Sequence, residues 1–531
     1  MTTGGAVGPG PATGSPAVHP MHLGPRAAVH PDRPAVIMTG SGEVTTYREL
    51  DERSNRLARA FRRAGLRPGD HVALMMENSS AFLEAAWGAQ RAGLYYTALN
   101  SHLRRDEAEY ILEDCGATAL VITAGLADVA GALDLGGVSL RIVAGGTADG
   151  FTPYQEVLDG EPPIPLEDEA EGREMLYSSG TTGVPKGVAK PLGVTVPGHP
   201  ESPAVVIATG ISAMGVAEGA VYLSPAPLYH SAPLVYSMAA HRLGATAVVM
   251  ETFDPSACLA AIARFQVTHA QFVPTMFTRI LRLPAEERAA ADVSSLRYVV
   301  HAAAPCPVEV KRRMLEWWGP IIFEYYAGTE DIGSSFIGPA EWLEHPGSVG
   351  RPLGEMHIVG AGGEEVPTGQ TGTVYFAGGR PFEYHNDPDK TASIQDSHGW
   401  RTLGDVGHVD EDGYLYLTDR SADMVVSGGV NIYPREAEQV LAGHPAVLDV
   451  AVFGVPDEEM GEAVKAVVQW ADPAVTVPAD ELLAWCRERL AAYKCPRSVD
   501  VVAEMPRDPN GKLYKRLLRD PYWEGRASRI V

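Results

Sequence analysis

The chain has 531 residues, more than one hydrophobic core usually serves, so its length favours two to four structural units. Its composition, with 45% hydrophobic and 21% charged residues and no apolar run long enough to span a bilayer, is typical of a soluble globular protein and argues against a transmembrane role. The formal net charge of −24 argues against general attraction to nucleic acid or anionic membranes. Any anionic ligand must therefore be held by local groups.

Residues 1–20 are rich in Gly and Pro, include one Ser, and lack the cationic start and apolar segment of a secretory signal. We therefore predict a disordered tail and a cytoplasmic protein. The cysteines lack the close pairing of a zinc site and the even count of a disulfide framework, which predicts reduced thiols. They are Cys115, Cys258, Cys306, Cys486 and Cys495.

The region from Thr45 onwards predicts a helix followed by a buried strand. Leu50, Leu57 and Phe61 recur at helical spacing, Gly65 ends the pattern, and an apolar run follows over residues 71–76. Similar alternation continues through LRYVVHAAAP, which predicts layered α/β subdomains.

The pattern changes over residues 347–418 to short strands with Gly turns, which predicts a β-rich subdomain. After Arg420 a smaller unit follows, with the strand AVKAVVQW, the helix ELLAWCRERLAAY and the strand SVDVVAEM. We predict an α/β protein in which a large domain spans residues 21–421 and a small α+β domain spans residues 422–531.

The strongest local signal is YSSGTTGVPKGV at residues 177–188, where three glycines, four Ser or Thr hydroxyls and one lysine occur within twelve residues. Such a loop offers backbone N–H groups, hydroxyl donors and a cation to a polyphosphate. Pro185 and Gly187 flank the lysine, so the loop is not a Walker A motif. The alternative is a flexible surface loop. The predicted phosphate contacts are Ser179, Gly180, Thr181, Thr182, Gly183 and Lys186.

This loop resembles the phosphate-binding signature of the AMP-forming acyl-CoA synthetases, whose superfamily includes peptide-synthetase adenylation domains and beetle luciferases. The resemblance continues in YYAGTE, where it implies that Tyr326 stacks on adenine, Thr329 meets the α-phosphate, and Glu330 with Thr182 holds magnesium. An aromatic ring suits a base, and carboxylate oxygen suits Mg²⁺.

Further segments resemble the family's nucleotide motifs. HAAAP implies adenine contacts from Ala303, Ala304 and Pro305. The alternative is a buried strand end with small residues, which would give the same sequence pattern. HGWRTLGDVG places Asp405 on the ribose hydroxyls, since a carboxylate can accept two hydrogen bonds from a diol. Arg420 matches the arginine that contacts ribose or the α-phosphate.

The resemblance also implies a small domain that moves. Ala422 lies at the hinge position, where many relatives carry Asp or Lys. PRDPNGKLYKR resembles the carboxy-terminal catalytic motif and makes Lys512 the lysine that reaches the carboxylate and α-phosphate. Without context, such a lysine is usually a solvated surface charge. In relatives, the loop of Gly428, Gly429 and Arg435 builds the pantetheine tunnel.

The acyl pocket is the least determined part, because its lining depends on tertiary packing. His230 resembles the family's catalytic-site histidine that lines this pocket and gates the thiol tunnel, although a histidine at a strand end is often structural. The candidates suggest a hydrophobic fatty, arylalkanoic or steroid side-chain acid. They are Tyr229, His230, Tyr236, Tyr325 and Ser334.

The sequence thus predicts a ligase that uses ATP, Mg²⁺ and coenzyme A to convert a carboxylic acid to its acyl-CoA through an acyl-adenylate. The alternatives are an adenylating enzyme that loads an acyl carrier protein, and a nucleotide-binding regulatory pseudoenzyme. A luciferase-like oxygenase shares the adenylation half, but nothing in the chain signals oxygen chemistry. We expect no nucleic-acid partner and no integral membrane association, and a homodimer is left open.

Overall fold

The computed structural model describes residues 21–178, 185–304, 306–420, 423–427, 430–457, 460–474, 477–508, 511 and 513–524. The predicted tail at residues 1–20 and the predicted boundary at residues 421 and 422 lie outside the described residues.

The first part of the chain alternates short strands with helices. Its elements are α1 (Leu23–Val29), β1 (Pro34–Met38), β2 (Val44–Thr46), α2 (Tyr47–Arg63), β3 (His71–Met75), α3 (Ser80–Arg91), β4 (Tyr95–Ala98), α4 (Arg105–Cys115), β5 (Ala119–Thr123), α5 (Ala127–Gly131), β6 (Leu140–Ala144), β7 (Thr152–Pro153), α6 (Tyr154–Asp159), β8 (Arg173–Glu174) and β9 (Leu176–Ser178).

The same alternation continues through the middle of the chain. Its elements are β10 (Lys186–Ala189), α7 (Pro203–Ala213), β11 (Val221–Ser224), α8 (Ser231–Arg242), β12 (Thr246–Val249), α9 (Pro255–Phe265), β13 (His269–Phe272), α10 (Pro274–Leu281), α11 (Ala285–Ala290), β14 (Tyr298–His301), α12 (Val308–Trp318), β15 (Ile322–Ala327), β16 (Ser334–Ile337) and α13 (Pro339–Glu344).

The last part begins with short strands and ends in the small domain. Its elements are β17 (Arg351–Pro352), β18 (Met356–Val359), β19 (Gly372–Phe376), β20 (Glu383–Tyr384), α14 (Pro388–Ser393), β21 (Asp405–Val409), β22 (Leu415–Arg420), β23 (Val425–Ser427), β24 (Val430–Ile432), α15 (Pro434–Ala442), β25 (Val447–Asp457), β26 (Gly461–Trp470), α16 (Ala479–Arg487), β27 (Ser498–Val501) and α17 (Lys515–Trp523).

Two large sheets form the frame of the large domain. The six-stranded sheet, in the order β7-β6-β5-β3-β4-β8, is parallel throughout. The nine-stranded sheet, in the order β17-β16-β15-β14-β13-β11-β12-β1-β2, has a parallel centre and antiparallel edges. The predicted layered α/β fold is therefore confirmed.

Helices α2, α3 and α8 pack between the two sheets. Thr46 starts α2 with a capping box, since its hydroxyl accepts from the Glu49 N–H while the Glu49 carboxylate accepts from the Thr46 N–H. Trp87 of α3 and Phe61 of α2 are completely buried in the core between the sheets. Burial of side chains this large contributes about 1.5–3 kcal/mol each, which makes this layer a rigid support.

Two smaller sheets complete the large domain. Strands β18, β19, β21 and β22 form an antiparallel four-stranded sheet within the predicted β-rich region. Strand β20 instead leaves that region and pairs with β10, which also pairs with β9. This pairing places residues 383–384 beside residues 188–189, almost two hundred positions earlier in the chain.

The C-terminal domain is a five-stranded sheet covered by helices. Its order is β24-β23-β26-β25, with β27 parallel to β26. A separate cluster of buried side chains, including Val452, Val468 and Leu482, forms its core. The predicted small α+β domain is present, as a unit with a hydrophobic core of its own.

All five cysteines are buried and free of disulfides, as the sequence indicates. Within the described ranges, none of the helices has the length and apolar character needed to cross a membrane.

Candidate active site

The candidate residues gather at one edge of the nine-stranded sheet. Strands β11, β14 and β15 run parallel, and their carboxyl ends carry, respectively, residues 229–230, residues 302–304 and residues 329–330. Ligands of open α/β sheets bind at this edge, because several loops converge there without blocking one another. The topology therefore brings together motifs that are separated by about a hundred residues.

The predicted adenine and ribose residues contact each other directly. The Tyr326 hydroxyl donates to Asp405 Oδ2 at 2.6 Å, and Asp405 is 7% exposed. The Tyr326 ring also lies 6.2 Å from the ring of Phe376. Asp405 is paired in backbone register with Arg420 on the neighbouring strand. A flat ring and a fixed carboxylate thus form one surface that fits a nucleoside.

The predicted phosphate lysine lies close to the predicted metal ligand. Lys186 Nζ donates to Asp387 Oδ2 at 2.7 Å and lies 5.9 Å from the ring centroid of Tyr384. The Tyr384 hydroxyl donates to Glu330 Oε1 at 2.9 Å. The hydrogen bond from Lys186 holds the pKa of Asp387 below its usual range, so this carboxylate stays ionised beside the lysine.

The carboxylate of Glu330 fits a magnesium site. Glu330 is 8% exposed, and Tyr384 fixes only its Oε1. Among the residues that the structure describes, none donates a hydrogen bond to Oε2. A hard cation prefers such an oxygen, and Mg²⁺ usually combines one or two carboxylates with substrate phosphates.

The predicted adenine turn has a constrained backbone. Ala303 has φ +73, in the left-handed region that residues other than glycine rarely adopt. Beneath it, His301 is fully buried, with Nε2 3.4 Å from Glu324 Oε2, and Lys311 donates to the same oxygen at 2.6 Å. Burial raises the pKa of Glu324 despite the charge of Lys311. The buried side chains of His301, Glu324 and Lys311 thus support the turn at Ala303.

The small domain reaches the same edge of the sheet. His230 Nε2 lies 3.9 Å from Asp508 Oδ2, and a Cβ built at Gly511 would lie only 2.1 Å from Thr275 Oγ1. Gly511 has φ +80, so both its conformation and its close approach require glycine. Lys512 itself lies outside the described residues, and its role at the site stays a prediction.

Arg435, predicted to contact coenzyme A, lies at the junction of the two domains. It is 9% exposed and donates to the Leu417 carbonyl at 2.8 Å. In this arrangement it therefore joins helix α15 to strand β22. A role at the pantetheine tunnel remains a prediction.

The predicted acyl-pocket tyrosines form an aromatic layer. The rings of Tyr236 and Tyr325 lie 6.4 Å apart at an interplanar angle of 11°, and Tyr222 lies 6.2 Å from Tyr236. Gln271 donates to the Tyr325 hydroxyl at 3.1 Å. Burial raises the pKa of Tyr325 to about 12, so its hydroxyl stays neutral. Ser334 lies on the neighbouring strand, where it pairs with Ala327.

Several predicted site residues lie outside the described residues, and their roles stay predictions. They are Ser179, Gly180, Thr181, Thr182, Gly183, Pro305, Ala422, Gly428, Gly429 and Lys512.

Sequence reasoning missed three residues at this site: Tyr384, Asp387 and Asp508. Asp387 followed by Pro388 is a helix N-terminal signal, and the Asp387 side chain indeed caps α14. That signal predicts the helix but not its contact with Lys186. Tyr384 carries no local signal, because its partner is distant in sequence, and the motif PRDPNGKLYKR contains Asp508 but does not predict its contact with His230.

The contact between Tyr384 and Glu330 gives a direct prediction. Tyr384→Phe removes the donor to Glu330 Oε1, and hydrogen bonds to charged groups contribute about 1.5–3 kcal/mol. We expect kcat/KM for MgATP to fall about tenfold, because 1.4 kcal/mol corresponds to a factor of ten. Steady-state kinetics with MgATP varied at saturating acid and coenzyme A measures this.

The matched control is Tyr375→Phe on β19, since the Tyr375 hydroxyl donates to no residue that the structure describes. This variant should keep its kcat/KM for MgATP. Equal kinetics for the Tyr384 variant and the control would contradict the role assigned to Tyr384.

Comparison with known families agrees with the fold. The profile of the AMP-binding enzyme family matches residues 24–383, and that of the AMP-binding enzyme C-terminal domain matches residues 436–512. Feruloyl-CoA synthase of Amycolatopsis sp is 36% identical over 502 residues, which cover 93% of this chain and 97% of that protein.

Two further relatives cover nearly the whole chain. The 3-[(3aS,4S,7aS)-7a-methyl-1,5-dioxo-octahydro-1H-inden-4-yl]propanoyl:CoA ligase of Rhodococcus jostii (strain RHA1) is 34% identical, over 90% of this chain and 93% of that protein. The solved structure of the anthranilate CoA ligase AuaEII in complex with anthranoyl-AMP has a TM-score of 0.81 at 27% identity, over 94% of this chain and 96% of that chain. The chain therefore belongs to the AMP-binding enzyme family, as an AMP-forming acyl-CoA synthetase.

Proposed function

We propose that this chain activates a hydrophobic, ring-bearing carboxylic acid as its acyl-adenylate and transfers the acyl group to coenzyme A at the site described above. The observation that carries this proposal is the pair of contacts at the sheet edge. Tyr384 joins Lys186 to Glu330, and Tyr326 donates to Asp405. Together they offer a cation and a carboxylate next to a nucleoside surface.

In the first step, one oxygen of the substrate carboxylate bonds to the α-phosphorus of ATP, and the bond to pyrophosphate breaks. Negative charge grows on the α-phosphate oxygens, and Lys186, Thr329 and Lys512 are the groups proposed to stabilise it. A magnesium ion held by Glu330 and Thr182 would supply further positive charge to the phosphates. Asp405 and Tyr326 hold the nucleoside while these bonds change.

In the second step, the thiol of coenzyme A attacks the acyl carbon, its proton is lost, and AMP leaves. By analogy with the family, the small domain rotates near Ala422, withdraws Lys512 and brings Gly428 and Gly429 to the site. In the described arrangement, Asp508 and Gly511 of the small domain lie next to His230 and Thr275 of the large domain, which supports its assignment to the adenylating step.

The aromatic layer supports the ring-bearing substrate. Offset rings attract one another and attract a further ring, whereas a straight alkyl chain gains only from burial. Gln271 and the neutral Tyr325 hydroxyl offer polar partners next to these rings. Such a lining suits an arylalkanoic or polycyclic acid that bears an oxygen substituent, and two of the relatives named above act on ring-bearing acids by name.

The experiment is pyrophosphate release with ATP and Mg²⁺ from a panel of aryl, polycyclic and straight-chain fatty acids, with and without coenzyme A. We expect continuous release only when coenzyme A is present, and a higher kcat/KM for ring-bearing than for straight-chain acids. The methyl ester of each active acid is the control, because it has no carboxylate to adenylate.

The other outcomes separate the alternatives. Release that turns over with a phosphopantetheinylated carrier protein but not with coenzyme A would favour the carrier-loading enzyme. No release with any acid would favour the regulatory pseudoenzyme. A preference for straight-chain acids would contradict the proposed substrate class.

A cytoplasmic location and a homodimer also belong to the proposal. Cell fractionation tests the first and light scattering of the purified chain tests the second.

A further inference from the structure

The lysine predicted to bind the phosphates of ATP has an anionic partner within the chain. Lys186 Nζ donates to Asp387 Oδ2 at 2.7 Å, and the side chains of Lys186 and Asp387 are 15% and 38% exposed. Among the residues that the structure describes, Asp387 is the one acidic side chain that pairs with Lys186. A polyphosphate that binds this ammonium group must therefore displace the carboxylate or share the ammonium with it.

The carboxylate of Asp387 is fixed by contacts of its own. Its Oδ1 accepts from the Lys390 N–H at 2.9 Å, which caps helix α14. The Asp387 N–H donates to the Tyr384 carbonyl at 3.0 Å, and the Thr391 hydroxyl donates to the Asp387 carbonyl at 2.9 Å. One carboxylate oxygen thus holds the helix while the other binds the lysine, so the carboxylate stays in place when the lysine side chain moves.

The segment that carries this carboxylate is also held from outside. Asn386 has φ +55, and its side-chain amide donates to the carbonyl and to Oδ1 of Asp114 on α4, at 3.1 and 3.2 Å. The His385 N–H donates at 2.8 Å to the carbonyl of Gly187, the residue after Lys186. These contacts keep the segment next to β10, whose first residue is the lysine.

The charges around the lysine make this pair relevant to phosphate binding. Lys186 Nζ lies 5.9 Å from the ring centroid of Tyr384, and the Tyr384 hydroxyl donates to Glu330. In the proposed function, magnesium neutralises Glu330 when the phosphates bind. The negative charge of Asp387 has no such ion, and it therefore opposes the binding of any anion to Lys186.

We propose that Asp387 is a resident counter-ion of Lys186, which competes with MgATP and with pyrophosphate for this lysine and thereby helps the site to release pyrophosphate. No covalent bond changes in the exchange, because the ammonium group passes from one anion to another. As pyrophosphate leaves, the carboxylate replaces it, so the mostly buried ammonium is not left without an opposite charge. The inference rests on the proposed function, and it adds a residue that limits affinity.

The test is a gain of affinity in Asp387→Asn. Asparagine is also a good helix cap, so α14 keeps its N-terminal contact while the charge is lost. We expect the inhibition constant of pyrophosphate and the KM for MgATP to fall about fivefold each, the upper end for a partly exposed ion pair. A purely structural role for Asp387 would instead weaken binding, so unchanged or higher constants would overturn the proposal.

The matched control is Asp389→Asn. Asp389 lies in the first turn of the same helix, and its side chain pairs with no residue that the structure describes. This variant loses the same charge two residues away and should keep both constants near those of the wild type. A fivefold gain in the control as well would overturn the proposal, because a general change of charge would then explain the effect.

A double-mutant cycle with Lys186→Met isolates the exchange. Without the ammonium group there is nothing for the carboxylate to compete for, so Asp387→Asn should change the inhibition constant of pyrophosphate less than twofold in this background. A full fivefold gain in the Lys186→Met background would overturn the role as a counter-ion, since it would show that Asp387 acts without the lysine.

A readout without turnover keeps the inference separate from the proposed function. Calorimetric titration of the full-length chain with magnesium pyrophosphate should give a dissociation constant about fivefold lower for Asp387→Asn than for the wild type. Equal constants, or no binding to either protein, would overturn the inference. Failure of the proposed function would look different, because the wild type would then release no pyrophosphate with any acid while the titration still compared the two proteins.

Discussion

Lys512→Ala is expected to slow acyl-adenylate formation about 10²–10³-fold, the usual effect of removing one group that stabilises transition-state charge. Asp508 and Gly511, which come shortly before Lys512 in the sequence, lie next to His230 and Thr275 of the large domain, which supports a role for this lysine in the first step. Thioester formation from preformed acyl-adenylate should fall far less, because the proposed rotation of the small domain would take Lys512 away from the site. Single-turnover assays of the two half-reactions measure this difference.

The control for this prediction is Lys515→Ala. Lys515 lies three residues further along the chain, and its Nζ pairs with Glu438 of the small domain at 2.8 Å. This variant should keep its adenylation rate near that of the wild type. Equal losses in the two half-reactions of Lys512→Ala would refute the account of two successive sites.

Arg242→Ala is expected to lower the free energy of unfolding by about 3–5 kcal/mol, because it leaves a buried charge without its partner. Arg242 is 1% exposed and binds both oxygens of Glu171 at 2.9 Å, while its guanidinium lies over the ring of Trp87. Burial is the largest influence and would raise the pKa of Glu171, but the charge and hydrogen bonds of Arg242, together with His22 and the Gly198 N–H, outweigh burial and hold that pKa below its usual range. The midpoint of chemical denaturation measures the loss.

Two further variants test whether the unpaired buried charge causes this loss of stability. Arg312→Ala removes an exposed ion pair with Glu309 on one helix and should leave the midpoint nearly unchanged. Replacing both buried charges, Arg242→Met with Glu171→Leu, should cost less than Arg242→Met alone, because no unpaired charge remains. A double variant that is less stable than the single one would contradict this explanation.

The same pair gives a pH dependence. The depressed pKa of Glu171 means that the folded state favours the ionised carboxylate. Its contribution to stability is therefore present above the unfolded carboxyl pKa, near 4.3, and is lost as the pH falls through the lower folded value. In Arg242→Met with Glu171→Leu, this part of the acid sensitivity should be absent.

Individual helices and strands can be predicted from the sequence, because residues close together in the chain determine them. The helix predicted after Thr45 is present as Tyr47–Arg63, set by the capping box of Thr46 and Glu49, and the apolar run that follows forms strand β3. The pairing of β1 with β12 joins residues about two hundred positions apart. No periodicity marks such pairings, since they depend on which strands meet after the helices have packed.

The residues of the candidate site also fall into two groups, those that sequence motifs predict and those that only the tertiary fold brings together. Tyr326, Asp405, Lys186 and Glu330 could be proposed from motifs, because loops that hold phosphate and nucleoside have recognisable residue patterns. Tyr384 could not, because it reaches Glu330 only through the pairing of β20 with β10. The contact of Asp508 with His230 likewise needs the two domains in place, which no stretch of sequence contains.

The central claim is that the acid passes through an acyl-adenylate, and isotope transfer tests it most directly. The acid found active in the panel is prepared with ¹⁸O in both carboxylate oxygens and converted with ATP and coenzyme A. One ¹⁸O should appear in AMP and none in pyrophosphate, because the carboxylate oxygen bonds to the α-phosphorus and stays there when the thiol displaces AMP. AMP without ¹⁸O, or ¹⁸O in a phosphate product, would contradict the account.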